Sequence, residues 1–128
     1  MPKLVEYQTE SGTAPFAQWF DSLGTKEALK VRTALAQMEA GNFGDHKSVG
    51  GGVWERRIHF GKGYRVYFAR EGGDTVVLLW GGTKNRQQSD IDKAKRWWGE
   101  YKKRKRETVS GPESKRSRRR SQRSKGEK

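Results

Sequence analysis

Cysteine is absent from this 128-residue chain, proline occurs three times and histidine twice. Without thiols there is no disulfide framework, no thiolate metal site, no thiol nucleophile and no Cys-x-x-Cys redox pair. His46 and His59 stand in neither an H-x₃-H nor an HExxH spacing, so neither histidine metal motif is present and the expectation is chemistry with no metal and no cofactor. No apolar run approaches the roughly 18 residues of a membrane span, and Met1-Pro-Lys-Leu-Val-Glu-Tyr7 lacks the apolar core of a signal peptide. These absences lead us to expect a soluble, cytoplasmic protein with no membrane partner. Apolar residues are also missing from the far end. All 14 aromatic residues lie at or before Tyr101, and Val109 is the one aliphatic residue beyond it.

What is abundant is positive charge: 28 Lys+Arg against 15 Asp+Glu give +13. The excess is uneven. Residues 1–103 carry 17 basic and 12 acidic side chains, net +5, whereas residues 104–128 carry 11 and 3, net +8. A segment with so little to bury cannot offset the entropy of ordering itself. The expected organisation is therefore one domain over 1–103 and a disordered basic Arg/Ser/Lys-rich tail over 104–128. A domain of that size buries enough surface for one sheet covered by a few helices. The charge points to a polyanionic partner without choosing among RNA, DNA, ribosome and anionic membrane.

Periodicity supplies the elements. Leu4, Val5 and Tyr7 alternate in a short strand over Lys3–Gln8. Phe16, Trp19, Phe20 and Leu23 fall at i, i+3, i+4 and i+7, with Thr13 as a cap and Pro15 in the first turn. A second helix opens at Thr25, carries Ala28, Val31, Leu35 and Met38 on one stripe, and stops at Gly41, so the two form an αα-hairpin. Three strands follow, Val53–Phe60, Tyr64–Arg70 and Thr75–Gly82. Short glycine-bearing links join them into an antiparallel meander. Gly50-Gly51-Gly52, Gly61-Lys62-Gly63 and Gly81-Gly82 match no phosphate-binding pattern and read as turns. Ser89-Asp90-Ile91-Asp92 has the form of a capping box, and Ile91, Ala94, Trp98 and Tyr101 share one stripe of the helix it opens. The expected class is α+β, order β-α-α-β-β-β-α, with helices on one face of a mainly antiparallel sheet.

The other sheet face carries the chemistry. On this register Glu55, Arg57, His59, Arg65 and Tyr67 share a surface, and Lys84 follows the last strand. Guanidinium forks pair with phosphate oxygens and stabilise charge that grows on a phosphodiester, while an imidazole or phenol can stack on a base. The same residues also fit an ordinary solvated face with cross-strand Glu–Arg pairs. Lys47 and His46 are expected in a loop, and Trp54 and Trp80 in the core.

Six ordered blocks bring a family into view: Phe16-Ala-Gln-Trp19-Phe-Asp-Ser-Leu23, Gly41-Asn-Phe-Gly-Asp-His-Lys47, Val53-Trp-Glu-Arg-Arg-Ile58, Gly63-Tyr-Arg-Val-Tyr-Phe68, Leu78-Leu-Trp-Gly-Gly-Thr-Lys84 and Gln88-Ser-Asp-Ile-Asp-Lys-Ala94. Together they resemble the RelE/ParE toxin superfamily, specifically its addiction-module killer, HigB-like branch, across about residues 4–101. The resemblance implies a RelE-like fold and a ribosome-dependent mRNA endoribonuclease of a type II toxin–antitoxin system, held inactive by a cognate antitoxin. In that reaction the 2′-hydroxyl attacks the adjacent phosphorus and leaves a 2′,3′-cyclic phosphate, which requires no metal. It also implies roles: Arg57 and Arg65 on the scissile phosphate, Lys84 on the developing charge or in proton transfer, and Glu55 as base. Lys47 and Tyr67 would bind RNA, and His59, as a ring able to stack on a base, is read as a further RNA-binding residue. Two features depart from the pattern. Arg56 stands where relatives place an apolar residue, which calls for a bulge or an arginine snorkelling at an edge. No histidine or tyrosine near the domain's end matches the acid/base of some relatives. A ParE-like gyrase inhibitor and a non-catalytic RNA-binding module remain open alternatives.

Overall fold

Five strands form a single sheet, and the computed structural model describes them within residues 1–109. The order is β1 (Lys3–Glu6), α1 (Pro15–Asp21), α2 (Thr25–Glu39), β2 (His46–Gly50), β3 (Val53–Ile58), β4 (Tyr64–Glu71), β5 (Thr75–Thr83), a 3₁₀ turn (Lys84–Arg86) and α3 (Gln87–Val109). Spatially the strands run β1-β5-β4-β3-β2, with β1 parallel to β5 and every other pair antiparallel. The class is α+β as expected, and the meander is β3–β4–β5.

The expected order lacks one strand. Residues 46–50, read as a loop, form β2 on the edge beside β3, with Lys47 opposite Glu55 and a register shift between Ser48 and Gly50. His46-Lys47-Ser48-Val49-Gly50 has one apolar side chain and is largely exposed, so it carries no alternation to read. Backbone pairing to β3, rather than burial, makes it a strand. Two smaller differences concern caps. α1 is entered through Ala14 and Pro15 without a side-chain cap, whereas Thr13 bonds to Ser11. The last helix begins at Gln87, ahead of the expected capping box, because the 3₁₀ turn runs directly into it.

Phe16 of α1 and Val31, Ala34 and Met38 of α2 bury against Ile58, Tyr64, Val66, Phe68, Val76 and Leu78. Arg56 shares this face and is 7% exposed. It neither sits in a bulge nor snorkels at an edge, because β2 covers β3. Its Nη2 donates to Gln37 Oε1 at 2.7 Å, and desolvation pulls the guanidinium below its ordinary pKa. Nε and Nη1 are buried without a hydrogen-bond partner among the described residues. Gly44, at φ 57°, lies against this group so closely that a Cβ there would meet Cζ at 2.5 Å.

The Gly81-Gly82 pair is not a turn but part of β5. Between Tyr67, opposite Trp80, and Phe68, opposite Leu78, the β4–β5 register shifts and leaves Leu79 as an extra residue. A bulge of this kind reverses the alternation of faces beyond it. Leu78 therefore packs with the α1–α2 core, while Trp80 turns to the opposite face and donates to Asp90 of α3 at 2.7 Å. Each glycine then admits a close neighbour: a Cβ on Gly81 would meet Trp19 at 2.1 Å, and one on Gly82 would meet Asp90 at 2.0 Å.

Residues 1–98 form one compact unit, and the described residues from 99 onward belong to a second. Within the first, α3 places Asp90 against Gly82, Trp98 against Gly52 and Trp97 against Tyr7 and Trp80. Helices consequently lie on both sheet faces, not one. The sequence reading missed this because the stripe of α3 shows that it packs but not on which side. In the second unit, helix continues past position 103, where the domain end was expected, to Val109. The run Lys102-Lys-Arg-Lys-Arg-Glu107 lacks an apolar period yet consists of good helix formers. The rest of the expected basic tail, 110–128, lies outside the described residues. Among the described residues no helix is long and apolar enough to cross a membrane.

The close approach at Gly81 makes a stability prediction. Gly81→Ala should cost about 1–3 kcal/mol or more by overpacking against Trp19. Gly73→Ala, with nothing within 4 Å of its Cβ position, should leave the urea midpoint essentially unchanged.

Candidate functional site

Glu55 lies in the middle of β3 on the face away from α1 and α2, and its side chain is fully buried. Burying a carboxylate is unfavourable unless donors replace its water. Four do so here. Arg57 Nε reaches Oε1 at 3.2 Å. Oε2 accepts from Arg65 Nη1 at 3.2 Å, Tyr67 Oη at 3.4 Å and Gln87 Nε2 at 2.7 Å. Those donors come from β3, β4 and the first residue of α3, so the anion ties three elements together.

Tyr67 is also fully buried. Desolvation, with the charges of Glu55 and Asp90 adding to it against Arg65, raises its phenol well above the ordinary value. It stays a neutral donor to Glu55. Stacking of Tyr67 on a base, expected from the sequence, is therefore precluded by its burial. Glu55 is likewise withdrawn from any substrate: both its oxygens are engaged, and its place is beneath the arginines rather than beside a reacting hydroxyl.

The arginines present their other side to solvent. Arg57, His59, Lys62, Arg65 and Lys84, with Tyr64 and the Gly61–Gly63 turn, line an open cavity of about 450 Å³ at the β3–β4 turn. Among the described residues no carboxylate lines it. Lys84 begins the 3₁₀ turn after β5, and its stem passes Gly63, whose Cβ position lies 3.7 Å from Lys84 Cδ. The fold thus brings together four of the residues singled out from sequence, Arg57, His59, Arg65 and Lys84. Lys47 does not line the cavity; it is exposed on β2 opposite Glu55.

Three contributors were missed. Lys62 was read only as part of a turn. Gln87 precedes the apolar period of its helix, so nothing in the sequence marks it as a ligand for Glu55. Asp45 lies just before β2, and its Oδ2 is 2.6 Å from His59 Nε2. That hydrogen bond, opposed by desolvation and helped by the charge of Arg57, lowers the Asp45 pKa. The pairing depends on β2, the strand that left no periodic signal. Convergent cations on rigid strands, without a lining acid, suit a phosphate or another oxyanion.

Comparison with known proteins places the chain in a family. A family model described as phage derived protein Gp49-like (DUF891) matches residues 18–98, which include every cavity residue and Glu55. An uncharacterized protein of Haemophilus influenzae is 43% identical over 84 residues, spanning 65% of this chain and 85% of the relative. The chain belongs to the Gp49-like family.

If Glu55 is the anchor, Glu55→Ala should lower the unfolding free energy by roughly 3 kcal/mol or more, because Tyr67 and the arginines lose their buried acceptor. Lys47→Ala should stay within about 0.5 kcal/mol in the same urea titration. Alkaline titration gives a second check. A raised folded-state pKa means that Tyr67 adds stability in full below about pH 10 and loses it as pH climbs toward the folded value. The last phenol to ionise in the 295 nm absorbance titration should disappear in Tyr67→Phe.

Proposed function

We propose that this Gp49-like chain is the toxin of a type II toxin–antitoxin pair, and that it acts as a ribosome-dependent mRNA endoribonuclease. The family is a RelE-like toxin family of such systems. The observation that carries the enzymatic reading is the cavity of Arg57, Arg65 and Lys84, in which cations converge with no acid among them. An RNA strand supplies its own nucleophile, the 2′-hydroxyl, so the protein need only hold the phosphate in line, stabilise the charge that develops on it and manage two protons.

Arg57 and Arg65 bind the non-bridging oxygens of the scissile phosphate. Their guanidinium planes are fixed from below by Glu55, which reduces the reorganisation needed as the phosphorane forms. Lys84 is exposed at the cavity edge, where it stabilises the same charge and can protonate the departing 5′-oxygen. Lys47, on the flanking strand, and the basic segment over 104–128 supply further attraction for RNA and ribosome without selecting a sequence. A cognate antitoxin would neutralise the chain.

Lys84→Ala is the sharper test, since Lys84 is exposed and takes no part in the Glu55 network. With purified protein, translating ribosomes and mRNA, the parent should yield fragments ending in a 2′,3′-cyclic phosphate. Lys84→Ala and Arg65→Ala should each lose about 10²–10³-fold in cleavage rate. Intact mRNA together with blocked DNA supercoiling by gyrase would favour the ParE-like alternative. Salt-sensitive RNA binding without cleavage would favour the binding module.

A further inference from the structure

His59 on the cavity wall and its partner Asp45 take no part in the phosphate contacts proposed for the arginines and Lys84. His59 follows β3 at a tight turn closed by Phe60 N–H donating to Ile58 O at 3.0 Å, and Asp45 is held beside β3 by Arg57 N–H donating to its carbonyl at 2.8 Å. Both backbones are thus fixed, and the 2.6 Å contact between Asp45 Oδ2 and His59 Nε2 joins side chains from two different strands' ends. His59 is one of the cavity-lining residues, whereas Asp45 is not. The arrangement is an imidazole facing a cationic pocket with a carboxylate behind it.

We propose that His59 is the general base of the cleavage reaction, oriented by Asp45, and that it takes the proton of the attacking 2′-hydroxyl on Nδ1. The inference rests on the endoribonuclease reading and deepens it. Its logic is that of any base held by a third group. The Asp45 carboxyl is held below the usual range by its hydrogen bond to His59, so it is ionised and can only accept. Nε2 must then carry a hydrogen, which leaves Nδ1 with the lone pair in the neutral imidazole. Among the described residues Nδ1 of His59 has no assigned hydrogen-bond partner, so it is open to a substrate hydroxyl. Glu55, the carboxylate that the sequence suggested for this task, is buried and saturated with donors.

The step balances within the site. The 2′-O–H proton moves to Nδ1 as the 2′-oxygen forms its bond to phosphorus. The P–O5′ bond breaks, and the 5′-oxygen takes a proton from the Lys84 ammonium. Release of the imidazole proton to water and its uptake by Lys84 restore both groups. Asp45 stabilises the transient imidazolium, and Arg57 and Arg65 the phosphorane.

His59 is 75% exposed, so His59→Gln should fold normally. The test is single-turnover cleavage of ribosome-bound mRNA, with binding measured separately on mRNA that is 2′-O-methylated at the mapped cut site. We expect His59→Gln to cut about 10²–10⁴-fold more slowly than the parent at unchanged binding, and Asp45→Asn to show a smaller loss. Substrate with a sulfur in place of the bridging 5′-oxygen, which leaves without protonation, should not restore the His59→Gln rate. Restoration would assign His59 to the leaving group and overturn the base assignment. Equal loss of binding and cleavage would make His59 an RNA contact only, which also overturns it. If His59→Gln cuts as fast as the parent while Lys84→Ala does not, this inference fails and the endoribonuclease reading stands. A parent protein that leaves mRNA intact removes both.

Discussion

One buried carboxylate organises this molecule. Glu55 lies at the centre of the sheet face that α3 partly covers, and a charge in that position is tolerable only because donors from β3, β4 and α3 surround it. Each donor gains a fixed geometry in return. Arg57 and Arg65 are the cases that matter for the proposed function, because their solvent-facing sides form the cavity wall. A guanidinium tethered at one edge presents its remaining N–H groups in a defined plane, and such preorganisation is what a phosphate site needs. The stability of the sheet and the readiness of the cation cluster are two consequences of one interaction.

The bulge in β5 makes that arrangement possible. A regular strand would place Leu78, Trp80 and Gly82 on one face. The extra residue at Leu79 lets Leu78 serve the α1–α2 core and Trp80 serve α3. Beyond it, two consecutive glycines let Trp19 and Asp90 approach the strand from opposite sides. The chain then leaves the sheet at Lys84, beside the Gly61–Gly63 turn, at the mouth of the cavity. Displacing that exit by one residue would turn the lysine away from the arginines.

Much of this was readable from the chain before folding. The α1–α2 hairpin, the three-stranded meander and the sharing of one sheet face by Arg57 and Arg65 follow from apolar spacing at 3.6 and 2 residues and from short glycine links. Those signals are strong because burial enforces them on every turn of a helix and every second residue of a strand. β2 was illegible for the complementary reason: an exposed edge strand is held by backbone hydrogen bonds, which any sequence can make. Asp45 was lost with it, and Gln87 separately at the start of α3, both being side chains whose partners are distant in sequence and which follow no period. Arg56, whose charge suggested an irregular strand, proved to be a buried residue bonded to Gln37, and no sequence pattern distinguishes those outcomes.

By itself the sequence determined which residue types were available: no thiol, no histidine metal motif, abundant arginine and lysine, and an ordered set of blocks resembling one toxin superfamily. It also determined which strand faces could carry charge, since alternation is a local property. Only the tertiary structure decided which of those charges reach the surface. Glu55 and Tyr67 share a face with Arg57, yet α3 and the neighbouring strands bury the first two and leave the arginine at the surface. His59 and Asp45, 14 positions apart, become partners because β2 pairs with β3. Periodicity specifies a face, whereas accessibility depends on what another element places over it, and that is a property of the assembled fold.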